Sequence, residues 1–194
     1  MTFEEKIRKE ILEDEENKEL KELGYLPLFK ADKRARIALI GQAPGRKAQE
    51  VGALWHDQSG LRLMDFLGLD EETFFTSPYI AHLPMDFFYL GKGKNGDILP
   101  RKDFAEKWHP KILAHLDQLK LKVLIGRTAQ DFYLKGRKEK NLTETVRHYR
   151  DYLPDYFPLV HPSPRNALWM KKNPWFEKEV LPDLKDLVKD LLRD

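Results

Sequence analysis

The sequence predicts an α/β fold in three layers, with helices on both faces of a central, roughly four-stranded parallel sheet. Two observations carry this. Short β-rich stretches at 37–40, 74–81, 121–125 and 157–161 alternate along the chain with segments whose apolar residues recur at helical spacing. The first of them, Ile37-Ala38-Leu39-Ile40, is apolar throughout, as befits a strand covered on both faces of a parallel sheet. A chain of 194 residues is expected to form one domain over 1–194, within the usual range of roughly 100–200 residues.

Taken in order, Phe3, Ile7, Ile11, Leu12, Leu20 and Leu23 predict one amphipathic amino-terminal helix over residues 1–24, stopped at Gly24. The strand at 37–40 runs into Gly41-Gln42-Ala43-Pro44-Gly45, a loop whose glycines let backbone approach a ligand closely. From 46 to 56 the pattern is irregular. Asp57 or Ser59 then caps a helix through Leu61, Leu63, Met64, Phe66 and Leu67, ending at Gly68. Phe74, Thr76, Tyr79 and Ile80 favour a second strand over 74–81, where Pro78 argues for a sheet edge. Residues 82–100 show no periodicity, and Gly91-Lys92-Gly93-Lys94-Asn95-Gly96 reads as an exposed turn. Phe104, Trp108, Ile112 and Leu116 predict a helix over 101–119, with Pro110 kinking it or dividing it in two. A third strand at 121–125 is followed by helices from near Thr128 and over 143–152, the fourth strand, and a last helix within 169–193.

Composition narrows the function. Charged residues make up 34% and hydrophobic residues 41%, which describes a globular protein with a heavily charged surface. The amino terminus, Met-Thr-Phe-Glu-Glu, is unlike a secretory signal, and no apolar run approaches the roughly 20 residues of a membrane helix. A cytoplasmic protein with no membrane partner is expected, and a monomer. The absence of cysteine excludes disulfides, thiolate catalysis and thiolate-bound clusters. Residues 1–24 hold nine Asp/Glu against five Lys/Arg, whereas 92–150 hold fifteen Lys/Arg against seven Asp/Glu. A basic middle suits a polyanionic partner, although solvated helix faces are often lysine-rich as well.

Chemistry concentrates in two loops. His161-Pro162-Ser163-Pro164-Arg165-Asn166 sets an imidazole, a hydroxyl and a guanidinium within five residues on a chain stiffened by two prolines. It reads either as a ligand loop at the carboxyl edge of the sheet or as a proline turn whose His161 merely satisfies a carbonyl. The first loop lacks the Gly-Lys-Ser/Thr ending of a phosphate-binding loop and the glycine spacing of a dinucleotide fingerprint. In a parallel sheet both loops lie on the same edge. His82, His109, His115 and His148 lack metal-ligand spacing, and Trp108, Trp169 and Trp175 read as packing residues.

As a pair, Ile40-Gly41-Gln42-Ala43-Pro44-Gly45 and His161-Pro162-Ser163-Pro164-Arg165-Asn166 resemble the two signature motifs of the uracil-DNA glycosylase superfamily. Order, spacing and sheet pattern match over most of 36–174. Gly52-Ala53-Leu54-Trp55, followed by Ser59-Gly60, is similar to the segment that presents an aromatic ring to an extruded base.

The resemblance implies a uracil-DNA glycosylase-like fold and a hydrolase of base excision repair that cleaves the N-glycosidic bond of uracil or another deaminated base in DNA. It also implies site residues. His161 would donate to the departing base, and Gln42 would orient water. Gly41, Gln42, Ala43, Trp55 and Ser77 would border the base. Pro44, Gly45, Pro162, Ser163, Pro164, Arg165 and Asn166 would lie on the DNA, with Arg165 wedged into the vacated stack.

Three departures from the family pattern qualify this. Ala43 stands where the best-known members carry a water-activating Asp, and Asp57 and Glu50 are the nearby carboxylates in sequence. The stretch Thr76-Ser77-Pro78-Tyr79 offers no base-reading asparagine. Branches with alanine in the first motif often hold an iron–sulfur cluster, which a cysteine-free chain cannot bind, so no metal or organic cofactor is expected. The alternatives are a catalytically weak nucleic-acid or nucleobase-binding protein of the same fold and a hydrolase of free nucleosides.

Overall fold

The computed structural model describes residues 1–193. In chain order its elements are α1 (Phe3–Glu13), α2 (Lys18–Glu22), β1 (Ile37–Ile40), α3 (Arg46–Val51), α4 (Gln58–Leu67), α5 (Glu71–Thr76), β2 (Ile80–His82), β3 (Lys92–Gly93) and β4 (Gly96–Asp97). They continue with α6 (Lys102–Leu113), β5 (Leu121–Ile125), α7 (Arg127–Tyr133), α8 (Leu142–Arg147), β6 (Tyr156–Leu159), α9 (Ala167–Lys172) and α10 (Leu181–Leu192).

Four strands form one parallel sheet in the order β2-β1-β5-β6. The two-residue period of a strand sends alternate side chains to opposite faces, and the cores follow it. Ala38, Ile40 and Leu124 face a core with Ile7 and Ile11 of α1, Phe104, Trp108 and Ile112 of α6, and Ala129 of α7. Ile37, Leu39, Val123 and Ile125 face the other, built with Leu63 and Phe66 of α4, Phe74 of α5, Val146 of α8 and Leu184 and Val188 of α10. The three-layer α/β/α architecture expected from the strand–helix alternation is therefore present.

Several boundaries differ from the expectation, each for a tertiary reason. The single amino-terminal helix is broken at Asp14, whose backbone is extended and whose side chain caps the turn Glu15–Asn17. The buried Asn17 amide donates to the Ile11 carbonyl at 2.8 Å, closing the end of α1 and turning the chain back. The irregular stretch after residue 45 contains α3, whose one buried residue is the polar Gln49. Where a strand over 74–81 was expected, α5 runs to Thr76, started by the Asp70 carboxylate accepting from Thr73 N at 2.7 Å, and β2 begins only at Ile80. That strand does lie at the sheet edge, where an antiparallel bridge from Lys30 to His82 covers it.

Residues 83–89 lack periodicity yet carry the buried Leu83, Met85, Phe87 and Phe88, so exposure sets in only beyond them. α6 runs through Pro110 as one element. The helix expected over 143–152 is α8 followed by a 3₁₀ turn at Tyr149–Tyr152. β6 stops at Leu159, which leaves Val160 and His161 in the loop rather than in the strand. The last helix comprises α9, a π-helical turn at Phe176–Val180 and α10.

Two buried histidines make the fold acid-sensitive. The His109 ring meets the Pro84 carbonyl at 2.9 Å through Nε2 and the Tyr133 hydroxyl at 2.6 Å through Nδ1, and the His82 Nε2 meets the Phe74 carbonyl at 3.0 Å. A carbonyl only accepts, so both rings carry their proton on Nε2. Burial pushes each down to about 4 from the ordinary 6.5. The unfolded chain thus binds more protons than the folded one between these values, so stability is full above pH 6.5 and falls as pH drops toward 4. Each ring contributes a loss of up to about 3 kcal/mol, at about 1.4 kcal/mol per pK unit. Urea unfolding midpoints at pH 7.5 and 4.5 check this, with a lower midpoint at 4.5 expected and equal midpoints contradicting it.

Candidate active site

Parallel strands deliver their carboxyl ends to one edge, and the chemistry gathers there. The loop after β1 is fixed from behind by residues 83–86. Leu83 N donates to the Leu39 carbonyl at 2.9 Å, Met85 N to Gly41 at 2.9 Å and Asp86 N to Gln42 at 3.1 Å. Beneath it lies a buried ion pair. The fully buried Asp86 carboxylate meets Arg101 Nε at 2.8 Å and Nη2 at 2.9 Å, a bidentate arrangement that holds the segment in one geometry. In front of the loop, the Gln49 side chain accepts from Tyr89 N at 2.9 Å and donates to the Leu26 carbonyl at 2.9 Å.

His161 follows β6 and packs on the end of β5, the strand that lies between β1 and β6. Gly126 permits the approach. Its φ of +84° is unfavourable for other residues, and a Cβ there would stand 3.4 Å from His161 Cβ and 3.6 Å from Cδ2. The buried Gln130 amide fastens the two strand ends, donating to the Leu159 carbonyl at 2.9 Å. Around the imidazole the chain is tied by its own side chains. Ser163 N donates to His161 Nδ1 at 3.2 Å and Asn166 Nδ2 to the His161 carbonyl at 2.8 Å. An accepting Nδ1 places the proton on Nε2. Burial pushes the imidazole below its ordinary value, with the Asp57 carboxylate pulling the other way. The ring is accordingly a neutral N–H donor at neutral pH.

Trp55 completes the group. The indole lies against Gly41, where a Cβ would be 2.9 Å from Cζ2, and its ring centroid is 6.2 Å from that of His161 at an interplanar angle of 37°. Its backbone has φ +65°, unusual for a bulky side chain. Gly60 of α4 fits directly under it, since a Cβ there would lie 1.6 Å from the Trp55 carbonyl oxygen. Gly41 and Gly60 thus make room for the indole, and Gly126 for the imidazole, which brings the two rings close together.

The expected site residues divide accordingly. Gly41, Gln42, Ala43, Pro44 and Gly45 stand on one loop, Trp55 beside them, and His161 opposite. Pro162 is buried, Ser163 caps the turn Pro164–Asn166, and Pro164 and Arg165 are exposed. Ser77 is not brought to the group. It precedes β2 at the amino end, its hydroxyl accepting from Tyr79 N and its carbonyl from Lys30 Nζ at 2.6 Å. The carboxyl end of β2 carries His82 instead, in register with Leu39. Of the two carboxylates left unplaced by sequence, Glu50 pairs with Arg46 at 2.7 Å, whereas Asp57 caps α4 within electrostatic reach of His161. Gly126, Asp57 as a neighbour of the imidazole, and the exposed Leu168 were not singled out by sequence reasoning. Only Leu168, 62% exposed beside the second loop, carries a local signal.

A model of the Uracil DNA glycosylase superfamily matches residues 29–185, and the chain belongs to that superfamily, a family of DNA glycosylases. The iron–sulfur cluster of some of its branches does not fit this chain, which has no cysteine. Among the described residues no three His, Asp or Glu cluster in a way that could hold a metal ion, and no helix is long and apolar enough to cross a membrane.

Proposed function

We propose that this protein is a monofunctional DNA glycosylase of base excision repair that hydrolyses the N-glycosidic bond of uracil or another deaminated or damaged base. The observation that carries this reading is the His161 ring, its Nδ1 occupied by Ser163 N and its Nε2–H left to donate, 6.2 Å from the Trp55 ring that packs on Gly41. When the bond from C1′ to the base nitrogen breaks, its electron pair moves onto the base and develops negative charge at an exocyclic carbonyl oxygen. A preorganised donor at that oxygen lowers the barrier, most effectively where water is excluded. His161 Nε2 is that donor, Trp55 stacks on the base, and the backbone of Gln42 and Ala43 borders it. Water adds to C1′ and gives up a proton, and the departing base takes one. The Gln42 side chain orients that water, and Asp57 is the carboxylate available in place of the one Ala43 lacks.

Extruding the base costs about a few kcal/mol of stacking. The stiff Pro162-Ser163-Pro164 segment with Asn166, and Pro44 with Gly45 opposite, hold the backbone on either side. Arg165 fills the vacated stack, aided by the exposed Leu168, since apolar wedges between base steps stabilise a distorted duplex. Ala43 favours a second reading, a binding protein of weak or no activity.

A strand-cleavage assay separates the two. Oligonucleotides carrying uracil, hypoxanthine, xanthine or no lesion, single- and double-stranded, are incubated with the protein and treated with alkali. Cleavage confined to a lesion-bearing substrate is expected. Retained affinity for these substrates with no abasic product would instead establish the binding protein.

A further inference from the structure

The hairpin of β3 and β4 takes no part in the site described above. Its strands pair Lys92 with Asp97 and Gly93 with Gly96, leaving Lys94 and Asn95 at the tip. Ile98 N closes the base onto the Gly91 carbonyl at 2.9 Å, and the Ile98 side chain covers both Gly91 and Gly93, 3.7 Å from where their Cβ atoms would be. The result is a short closed finger with its own small apolar support.

The position of this finger is its notable property. The Asp97 carboxylate lies 4.0 Å from the Cβ position of Gly45, and the Arg165 guanidinium 3.7 Å from that of Gly96. One hairpin therefore spans the gap between the two loops. Cross-strand partners in an antiparallel pair share a face, so Lys92 stands on the Asp97 side, toward the Gly45 loop. Lys92 and Lys94 are both exposed, and neither has an ion pair or hydrogen bond among the described residues. By contrast the neighbouring Arg46 is held by Glu50 at 2.7 Å.

We infer that the 91–98 hairpin is a third DNA-contacting element, which clamps the backbone of the strand carrying the extruded nucleotide through Lys92 and Lys94. The inference rests on the glycosylase reading of the adjoining site. Two ammonium groups without an ion pair beside that site suit a phosphate backbone, and each phosphate neutralised releases condensed counterions from the duplex. Holding the backbone next to Arg165 keeps the distorted step in register with the loop that enters it.

The test is a salt titration of binding. Fluorescence anisotropy with an undamaged labelled duplex, across a KCl series, gives the slope of log affinity against log salt for the wild type and for the Lys92→Ala/Lys94→Ala variant. Loss of two phosphate contacts reduces the slope by about 1.8, at about 0.9 per contact in duplex DNA. The single-turnover excision rate at saturating substrate is expected to stay unchanged while kcat/KM falls. A Lys6→Ala/Lys9→Ala variant, with the same change of net charge on α1, should keep the wild-type slope. An unaltered slope in the hairpin variant, or an equal drop in the α1 variant, would overturn the inference alone. Absence of any DNA binding by the wild type would overturn it together with the glycosylase reading, whereas binding without excision leaves the clamp standing and removes only the chemistry.

Discussion

The His161→Ala protein is expected to excise its base about 10²–10³-fold more slowly than the wild type in single turnover, and to remain folded. The magnitude is that of removing one preorganised donor from a developing oxyanion. The fold survives because the ring sits beyond β6 in a loop, where its structural contribution is the Nδ1 bond from Ser163 N, a bond of about 1 kcal/mol. His161→Gln, which keeps an N–H donor on a different stem, is expected to fall between the two. Because burial holds the imidazole below its ordinary pKa, wild-type excision is expected to show no inflection from this group between pH 6.5 and 8, and an NMR titration is expected to find its midpoint below the ordinary value. Equal single-turnover rates for wild type and His161→Ala would remove the imidazole from the mechanism.

The two loops were legible in the sequence because proline and glycine act locally. A strand that meets His-Pro-Ser-Pro must end, and the parallel sheet then brings that end beside Gly41. The central strands were equally plain, since four consecutive apolar residues at 37–40 need cover on both faces. What escaped depends on partners distant in sequence. α3 has no apolar periodicity because its inward residue is Gln49, whose amide is satisfied by Leu26 and Tyr89. Leu83, Met85, Phe87 and Phe88 look like part of a loop until the hydrogen bonds to the β1 end place them in the core. Ser77 was misplaced for a related reason. The aromatic residues at 74 and 75 are β-formers by propensity, yet Asp70 starts a helix there and postpones the strand to Ile80. Gly126 reads as a mere strand terminator, and only the packing of His161 against it gives it a role.

The largest effect on stability is expected from Arg101→Met, which destabilises the protein by about 3–5 kcal/mol, the usual cost of leaving a buried charge without its partner. Asp86 has no exposed surface, and without the guanidinium its carboxylate keeps only backbone donors, Phe88 N at 3.2 Å and residue 101's own N at 3.3 Å. The damage should not stay local. Arg101 Nη1 also donates to Asn17 Oδ1 at 2.7 Å and to the Glu16 carbonyl at 3.2 Å, so one side chain joins the amino-terminal helices to the segment behind the Gly41 loop. Amide exchange in Arg101→Met is therefore expected to accelerate both at 14–22 and at 83–88, alongside a lower urea midpoint. The double variant Asp86→Leu/Arg101→Met removes both charges and should recover much of the lost stability, because an apolar pair of similar volume often replaces a buried ion pair at little cost. It should not recover the exchange protection at 14–22, since Asn17 still lacks its donor. A single-variant loss under about 1 kcal/mol would mean that Asp86 gains solvent on losing its partner, and that the backbone bonds to Gly41 and Gln42 hold the loop unaided.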